Sequence, residues 1–270
     1  PGYCGKGGFK AESGRYHLYI SLSCPFAHRT AIMHCLKKLE NVVSVSIAAG
    51  RNSKGWIFKN ETKDHRESVF SSNYLHEVYA SSDPQFTGRA TVPVLWDKQQ
   101  GIIVSNESSD ITRMFNSAFN AFTANRVDYY PEALRCEINK LNDTIFKNVN
   151  IGVYKAGFAK TQKVFNDAFD KLFNTLELLD KWLGKKRYLV GDKITEADWR
   201  LFTTLVRFDL AYHSAFKCNK QRLVDYQNLW PYTRELYQIP GVAETVNVPA
   251  IKKGYHTESP LTNPLGIIPK

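Results

Sequence analysis

The fold class of this chain is decided by residues 16–29, which read YHLYISLSCPFAHR. The first part of this stretch is β-prone and predicts a strand that stops just before Cys24. Pro25 suits the first turn of a helix, and apolar residues then recur at helical spacing as far as Leu39. A second β-prone run follows at residues 42–47. This order predicts a βαβ unit, which is a usual beginning for an α/β domain.

Two more strands are predicted downstream, over residues 92–96 and 102–104, with a polar turn between them. Acidic and hydroxyl residues at positions 107–110 favour a helix start, and the helical pattern continues over residues 111–119. The α/β part of the chain is therefore expected to end with a strand pair followed by a helix.

The remaining sequence is irregular at first and then helical. Residues 50–89 are polar and predict a long excursion that contains one helix, over residues 72–80. After about residue 130 strand signals disappear, and an apolar stripe with i, i+4, i+7, i+8 spacing runs through residues 165–183. A Thr-x-x-Asp pattern at residues 195–198 predicts a capping box at the start of another apolar helix.

The chain therefore combines an α/β part with an all-helical part, which suits the two moderate domains that 270 residues allow. The junction is predicted near residues 119–130. The predicted ranges are an N-terminal extension over 1–15, the α/β domain over 16–120, the helical domain over 121–250 and a tail over 251–270.

Composition indicates a globular chain. Hydrophobic residues make up 43% and aromatic residues 13%, which is enough for a sizeable core. The formal net charge is +10, but the basic residues are scattered, and no zinc, helicase or RNA-binding motif accompanies them. We therefore expect no nucleic-acid partner and favour anionic small molecules as ligands. No apolar run approaches the roughly 18 residues of a membrane span, so no membrane partner is expected.

The cysteine pattern argues against a disulfide framework. The chain has five cysteines, Cys4, Cys24, Cys35, Cys136 and Cys218. They form no CxxC pair and have no metal-ligand spacing with histidine, so no metal site is predicted. This usage fits a reducing compartment, with the cytoplasm as the default location. Because the chain opens on Pro1 rather than Met, a removed organelle-targeting segment stays open as an alternative.

Cys24 lies where the first strand is predicted to meet a helix N-terminus. The N–H groups and the helix dipole at such a position favour thiolate over thiol, so Cys24 is the predicted nucleophile. The alternative is a buried cysteine that fills a small apolar slot, a role better suited to Cys35 in the middle of the apolar helix face. Without a second cysteine at position 27 the site cannot close an internal disulfide, so an external thiol has to resolve the oxidised intermediate.

Two later segments fit a thiol site that binds a peptide-like ligand. The Val92-Pro93 bond at the entry to the third strand is predicted to be cis, as in thioredoxin-like folds, which exposes the Val92 backbone to a ligand. Glu107 and Ser108 at a helix N-terminus suit both ends of a glutamyl group. The glutamyl carboxylate would accept hydrogen bonds from the N–H groups of the helix N-terminus and from the Ser108 hydroxyl. The glutamyl ammonium would pair with the Glu107 carboxylate. Simple helix capping is the alternative for these two residues.

Two motifs are especially specific, the CPFAHR turn at residues 24–29 and the GVYKAGFA segment at residues 152–159. With other matching stretches spread over nearly the whole chain, they resemble the Xi-class glutathione transferases, which are glutathionyl-hydroquinone reductases related to the Omega class. The other stretches are residues 16–23, 88–97, 106–116, 205–209, 240–246 and 263–266. The resemblance implies a thioredoxin-like N-terminal domain followed by an all-helical glutathione-transferase C-terminal domain.

Carried over residue by residue, the resemblance implies that Cys24 is the nucleophile. It implies that glutathione is held by Trp56, Arg89, Val92, Glu107 and Ser108. It implies an aromatic substrate pocket edged by Phe26, Tyr154 and Tyr255. Phe26 replaces the tryptophan common in the family, which keeps an apolar wall but loses an indole donor. The segment after Val246 also departs from the bacterial pattern, and for Trp56 a surface aromatic on a loop is the alternative.

The implied reaction is the glutathione-dependent reduction of a glutathionyl-hydroquinone through a mixed disulfide between Cys24 and glutathione. Glutathione is the expected co-substrate and a quinone-derived aromatic the other small-molecule partner, with a homodimer formed through the helical domains. Two alternatives stay open. One is an Omega-like thioltransferase or dehydroascorbate reductase, and the other is a non-enzymatic ligand-binding relative, against which the presence of Cys24 argues.

Overall fold

A computed structural model describes residues 8–58 and 69–270, so Cys4 lies outside the described residues. The chain divides into two compact units. The first unit extends as far as Val127 and also takes in Glu244–Ala250, and the second comprises Asp128–Ala243 and Ile251–Lys270. The chain thus leaves the first unit, builds most of the second and briefly returns.

The first unit is an α/β structure. In chain order its elements are β1 (Tyr16–Ser21), α1 (Pro25–Leu36), β2 (Ser44–Ala48), β3 (Gly50–Asn52), β4 (Gly55–Ile57), α2 (Leu75–Ser82), β5 (Val94–Asp97), β6 (Ile102–Ser105) and α3 (Ser108–Ser117). One mixed sheet has the order β2-β1-β5-β6, with β1 parallel to β2 and antiparallel to β5. A βαβ start followed by an antiparallel strand pair and a helix is the thioredoxin-like arrangement, so the predicted fold class of this domain is confirmed.

The bounds of α1 and β5 follow from single residues. α1 ends at Leu36, short of its predicted end, and Lys38 just beyond it adopts a left-handed φ of 55°. β5 begins at Val94, since Pro93 has no N–H to donate to a strand ladder. The bond between Val92 and Pro93 is cis, as predicted.

The excursion at residues 50–89 contains a small hairpin that the sequence analysis missed. β3 and β4 pair in antiparallel register with Arg51 opposite Trp56. Trp56 therefore lies on a strand and not on a loop. Strands this short give no alternating pattern that sequence reasoning can detect. The single helix predicted in this region is present as α2, a few residues later than expected.

α1 buries polar side chains that the apolar pattern did not predict. His28 is 3% exposed and Arg29 is 2% exposed, whereas Cys35, expected on the core-facing side, is only half-buried. His28 Nε2 lies 2.8 Å from Thr245 Oγ1. This contact attaches the returning segment Glu244–Ala250 to the helix that follows Cys24.

The second unit is helical, and its described residues include no strand. Its helices are α4 (Arg135–Ile145), α5 (Gly152–Gly157), α6 (Gln162–Leu183), α7 (Glu196–Leu205), α8 (His213–Ala215), α9 (Leu229–Tyr237) and the larger part of α10 (Val248–Thr257). The π-helical turns Phe146–Asn150 and Phe208–Tyr212 precede α5 and α8. The predicted all-helical C-terminal domain is thereby confirmed.

The long helix α6 corresponds to the predicted apolar stripe. Its large buried apolar positions are Leu172, Phe173, Leu176 and Leu179. The predicted capping box at the start of α7 is present, since the Thr195 N–H donates to Asp198 Oδ2 at 2.7 Å. Within residues 8–58 and 69–270, no helix is both long and apolar enough to cross a membrane.

Candidate active site

Cys24 occupies the N-cap position of α1, where the chain has just left β1. Its backbone is extended, with φ −78° and ψ 123°, and its side chain makes no capping hydrogen bond to the helix. The thiol is half-buried, and its Sγ lies 3.8 Å from the carbonyl oxygen of Val92. The first turn of α1 contains no acidic residue, so no carboxylate there opposes the helix N-terminus in favouring a thiolate.

The N-terminus of α3 holds Glu107 and Ser108 in different environments. Glu107 is the N-cap residue, yet its side chain is exposed and makes no capping hydrogen bond. Ser108 is 6% exposed, and its Oγ accepts a hydrogen bond from Arg29 Nη1 at 3.3 Å. The guanidinium of Arg29 also lies 4.8 Å from the ring centroid of Phe26. Helix capping therefore does not account for the Glu107 carboxylate, which faces solvent.

Trp56 and Arg89 are less constrained than the residues around Cys24. Trp56 is half-buried on β4, with the Arg51 guanidinium 5.8 Å from its ring centroid. Arg89 is exposed and has no hydrogen bond or ion pair within the part of the chain that the structure describes. Neither side chain makes a described contact with Cys24 or Ser108, so their predicted roles rest on the sequence.

Three tyrosine hydroxyl groups form a chain in the second unit. The hydroxyl oxygens of Tyr154 and Tyr255 lie 2.5 Å apart, and those of Tyr212 and Tyr255 lie 3.0 Å apart. Burial, with Tyr154 and Tyr212 nearby, raises the pKa of Tyr255 well above its ordinary value. Its hydroxyl therefore stays protonated at neutral pH. The structure brings together the two tyrosines that the sequence proposed for one pocket.

Tyr212 is the member of this group that the sequence analysis missed. It ends the π-helical turn Phe208–Tyr212, and such turns occur frequently at functional sites. A signal was present, because Phe208, Tyr212 and Phe216 follow one another at intervals of four residues, the spacing of a shared helix face. That aromatic pattern predicts packing but not the hydroxyl contact.

The aromatic packing around these tyrosines depends on Gly157. The ring centroid of Phe216 lies 5.3 Å from that of Tyr154 and 5.5 Å from that of Tyr255. A Cβ atom at Gly157 would lie 2.3 Å from Phe216 Cγ, which is far inside van der Waals contact. At Gly152, in the same short helix, an added Cβ would meet its nearest neighbour at 3.9 Å. Phe216 therefore requires a glycine at position 157.

The other described cysteines differ from Cys24. Burial, with Glu40 nearby, raises the pKa of the half-buried Cys35 thiol. Cys218 is fully buried, and this burial raises its pKa to about 12. Cys136 is exposed on α4. Across the described ranges, no group of three or more His, Cys, Asp or Glu side chains is arranged to hold a metal ion.

Comparison with known families defines the class of protein. The family described as Glutathione S-transferase, N-terminal domain, matches residues 23–118. The family described as Glutathione S-transferase, C-terminal domain, matches residues 162–235. With the thioredoxin-like sheet and the helical second unit, these matches and the relatives below, which align with nearly all of this chain, show that it belongs to the glutathione transferase family.

Individual relatives narrow this assignment. The chain is 50% identical to glutathionyl-hydroquinone reductase YqjG of Escherichia coli, over 99% of this chain and 82% of the relative. It is 46% identical to glutathionyl-hydroquinone reductase PcpF of Sphingobium chlorophenolicum, over 97% of this chain and 84% of the relative. The Xi-class glutathione transferase of Natrialba magadii superposes with a TM-score of 0.96 at 44% identity, covering 99% of this chain and 83% of that one. Within the glutathione transferase family, the chain is a member of the Xi class.

Proposed function

We propose that the chain reduces glutathionyl-hydroquinones to hydroquinones, with Cys24 as nucleophile and glutathione as co-substrate. The observation that carries the proposal is the position of the Cys24 thiol at the N-terminus of α1, 3.8 Å from the Val92 carbonyl oxygen. Two relatives that share about half of its residues are named for this activity. A glutathione-bound structure of YqjG superposes with a TM-score of 0.96 at 49% identity, over 100% of this chain and 88% of that one.

Glutathione is proposed to bind to the first unit through its peptide backbone and its γ-glutamyl group. The Val92 backbone pairs with the cysteinyl part, which places the glutathione sulfur near Cys24. The exposed Glu107 carboxylate receives the γ-glutamyl ammonium, and the α3 N-terminus with Ser108 receives the α-carboxylate. Trp56 and Arg89 supply further contacts, for which the exposed Arg89 guanidinium suits a carboxylate.

The proposed reaction proceeds through two successive thiolate attacks on sulfur. The Cys24 thiolate attacks the sulfur of the glutathionyl-hydroquinone, so an S–S bond forms as the carbon–sulfur bond breaks. The ring keeps the electron pair of the broken bond, and the product is the hydroquinone. A second glutathione thiolate then attacks the mixed disulfide, which releases glutathione disulfide and regenerates the Cys24 thiolate. The ring carbon gains one proton, which balances the proton lost by the thiol of the second glutathione. The ring is thereby reduced, and the two glutathione sulfurs are oxidised to a disulfide.

The ring carbon is a poor leaving group, and the tyrosines are proposed to assist it. Protonation of this carbon converts the ring to a ketone form, from which departure yields a stabilised enolate. The hydroxyl groups of Tyr154 and Tyr255 are proposed to donate to the ring oxygen in this step, and these bonds replace the hydrogen bond between the two phenols. The 2.5 Å contact between them and the protonated state of Tyr255 support this role. Phe26 is proposed to contribute an apolar wall for the ring.

Intact-protein mass spectrometry tests the proposal directly. Stoichiometric mixing with a glutathionyl-hydroquinone should increase the mass by one glutathionyl group, localised to Cys24 by peptide mapping, as free hydroquinone appears. Addition of glutathione should then remove the group and produce glutathione disulfide. An unmodified protein, or modification at Cys136 alone, would refute the proposed mechanism.

An Omega-like thioltransferase or dehydroascorbate reductase is the second candidate. It is favoured by a relative named glutathione S-transferase omega-like 2 from Schizosaccharomyces pombe, which is 41% identical over 97% of this chain and 86% of that relative. The same Cys24 would serve both reactions. Side-by-side turnover of a glutathionyl-hydroquinone and dehydroascorbate separates them, and a higher kcat/KM on dehydroascorbate would favour the second candidate.

Assembly and location form a separate part of the proposal. From the resemblance to the Xi class, we propose a homodimer formed through the helical domains. We also propose a cytoplasmic location, which is supported by cysteines that form no CxxC pair and suggest no disulfide framework. Light scattering coupled to size-exclusion chromatography would measure the assembly, and a monomeric mass at micromolar concentration would contradict the proposed homodimer.

A further inference from the structure

We infer that Arg29 is a positioning residue that fixes the direction of the Ser108 hydroxyl group, so that this hydroxyl donates to the γ-glutamyl α-carboxylate of glutathione. The inference rests on the proposed function, because it assigns a role within the proposed glutathione site. It adds a buried residue to that site and specifies which ligand group the residue serves.

The geometry begins with a buried donor. Arg29 is 2% exposed, and its Nη1 lies 3.3 Å from the Ser108 Oγ atom, which is buried as well. Phe26 lies one helical turn before Arg29, and its ring centroid is 4.8 Å from the guanidinium carbon. A cation over an aromatic ring at this distance is attracted to it. The guanidinium therefore contacts both the ring of Phe26 and the hydroxyl of Ser108.

Because Arg29 can only donate, it determines which hydrogen bond the Ser108 hydroxyl accepts and where the hydroxyl proton can point. A guanidinium group only donates hydrogen bonds, whereas a serine hydroxyl has one proton and two lone pairs. Ser108 Oγ must therefore accept from Arg29, and its own proton points elsewhere. Within the described part of the chain, no acceptor takes that proton. Ser108 is also the first residue of α3, so it has no carbonyl of its own helix one turn earlier to bond.

A buried hydroxyl with an unused proton is suited to a ligand acceptor. Of the two charged groups of the γ-glutamyl moiety, the α-carboxylate accepts hydrogen bonds and the ammonium only donates them. The unused proton of Ser108 suits the carboxylate, and the positive charge of Arg29 beside the hydroxyl disfavours an ammonium at its second lone pair. The neighbouring exposed Glu107 is therefore left for the ammonium. The charged donor behind the hydroxyl also polarises it, which strengthens the bond it gives to an anion.

The location of Arg29 links this contact to the reacting thiol. Arg29 and Phe26 lie on α1, the helix whose N-cap is Cys24, while Ser108 begins α3. The hydrogen bond from Arg29 therefore connects the helix that presents the thiol with the helix that receives the γ-glutamyl group. Displacement of the guanidinium would misdirect the hydroxyl without removing any group that touches glutathione.

Calorimetry with two tripeptides tests the inference. The probes are glutathione and 4-aminobutyryl-cysteinylglycine, which lacks only the α-carboxylate. We expect Arg29→Met to raise the Kd for glutathione about tenfold, the effect of one charge-assisted hydrogen bond, and to change the Kd for the analogue less than about twofold. Ser108→Ala should show the same pattern. Arg29→Met added to Ser108→Ala should raise the Kd for glutathione no further, since both changes act on the same hydrogen bond between Ser108 and the ligand carboxylate.

Two results of the calorimetry would contradict the role of Arg29. Equal weakening of both tripeptides by Arg29→Met would overturn the inference, because a general structural role predicts that outcome, and so would additive effects of the two substitutions. If Arg29→Met does not fold, Arg29→Lys, which loses the planar fork, is measured instead. Lost preference for glutathione over the analogue supports the inference, and unchanged preference overturns it. A wild-type protein that binds neither tripeptide would instead overturn the proposed function, and the inference with it.

Discussion

The hydroxyl oxygens of Tyr154 and Tyr255 lie 2.5 Å apart, although the two tyrosines are 101 positions apart in the sequence. Tyr212 extends the contact, with its hydroxyl 3.0 Å from that of Tyr255. Each hydroxyl has one proton to donate, so the direction of one hydrogen bond affects the direction of the next. Loss of a single phenol therefore alters the donor that the remaining tyrosines offer to a substrate.

We predict that Tyr154→Phe lowers turnover of glutathionyl-hydroquinones about a hundredfold to a thousandfold, the range for loss of an aligned donor or general acid. Reduction of a small disulfide should survive nearly unchanged, because a sulfur leaving group needs no phenol. Steady-state kinetics on both substrates measure the difference. Tyr188→Phe is the matched control, since it removes a phenol that donates to Glu235 at 2.8 Å outside the tyrosine group. Equal losses on both substrates would assign Tyr154 a purely structural role.

Gly157→Ala should disturb the same tyrosines indirectly. The added methyl would lie 2.3 Å from Phe216 Cγ, so Phe216, whose ring packs against Tyr154 and Tyr255, has to shift. We expect reduced glutathionyl-hydroquinone turnover and a loss of stability of about 1–3 kcal/mol from overpacking. Gly152→Ala is the control, because its methyl has space and a helical alanine is favoured by roughly 0.5–1 kcal/mol over glycine. Urea unfolding of both variants gives the comparison, and equal stabilities would argue against the clash.

Cys24→Ser should abolish reductase activity while it leaves the fold and glutathione affinity largely intact, because a neutral hydroxyl is a far weaker nucleophile toward sulfur. Activity, circular dichroism and calorimetry on the purified variant measure the three properties. Cys35→Ser is the control and should affect stability alone. Retained turnover in Cys24→Ser, or lost turnover in Cys35→Ser, would remove Cys24 from its proposed role.

Glu107→Ala should weaken glutathione binding by roughly 1.5–3 kcal/mol, the value of a hydrogen bond to a charged group. It should leave the melting temperature nearly unchanged, because the Glu107 side chain makes no capping hydrogen bond. Glu77→Ala provides the contrast, since Glu77 Oε2 accepts from the Asn73 N–H at 2.8 Å and belongs to the capping box of α2. That variant should melt earlier and bind glutathione normally. A lower melting temperature with normal affinity in Glu107→Ala would contradict the ligand role.

The buried thiol of Cys218 predicts a pH dependence of stability. Burial raises its pKa from 9.0 to about 12 in the folded protein, so the folded state favours the neutral thiol. This contribution is complete below pH 9 and decreases as the pH rises toward 12, because only the unfolded chain ionises in that interval. At pH 10.5 the wild type should have lost about 2 kcal/mol more unfolding free energy than Cys218→Ala. Urea unfolding at pH 8 and 10.5 measures the difference, with Cys136→Ala as the exposed-thiol control.

Local sequence signals predicted the elements that surround Cys24. The strand before it, the proline after it and the Val92-Pro93 bond can each be recognised from residues that are adjacent in the sequence. All three are present in the structure. The hairpin around Trp56 cannot be recognised in this way, because its three-residue strands are too short to show an alternating pattern of apolar and polar residues.

Long-range contacts account for what the sequence analysis missed. An arginine on a helix is usually exposed, and the burial of Arg29 depends on the packing of α1 with Ser108 of α3, far away in the sequence. Tyr212 belongs to an aromatic stripe, yet its approach to Tyr255 follows from the fold of the second unit. The apolar face of α1 predicted Cys35 to be buried, but the helix turns this residue partly toward solvent.

The return of residues Glu244–Ala250 to the first unit limits how the two halves can be exchanged. Through Thr245, this segment supplies a partner for His28, only four residues after Cys24. A fragment that stops at Val127 would contain the whole sheet and the thiol but not this partner. A chimaera that joins the N-terminal half of this chain to the C-terminal half of another transferase would have a foreign residue in place of Thr245, beside the helix that follows Cys24. The two halves are thus not interchangeable modules. We expect a chimaera to fold only when residues 244–250 come from the same parent protein as the N-terminal half.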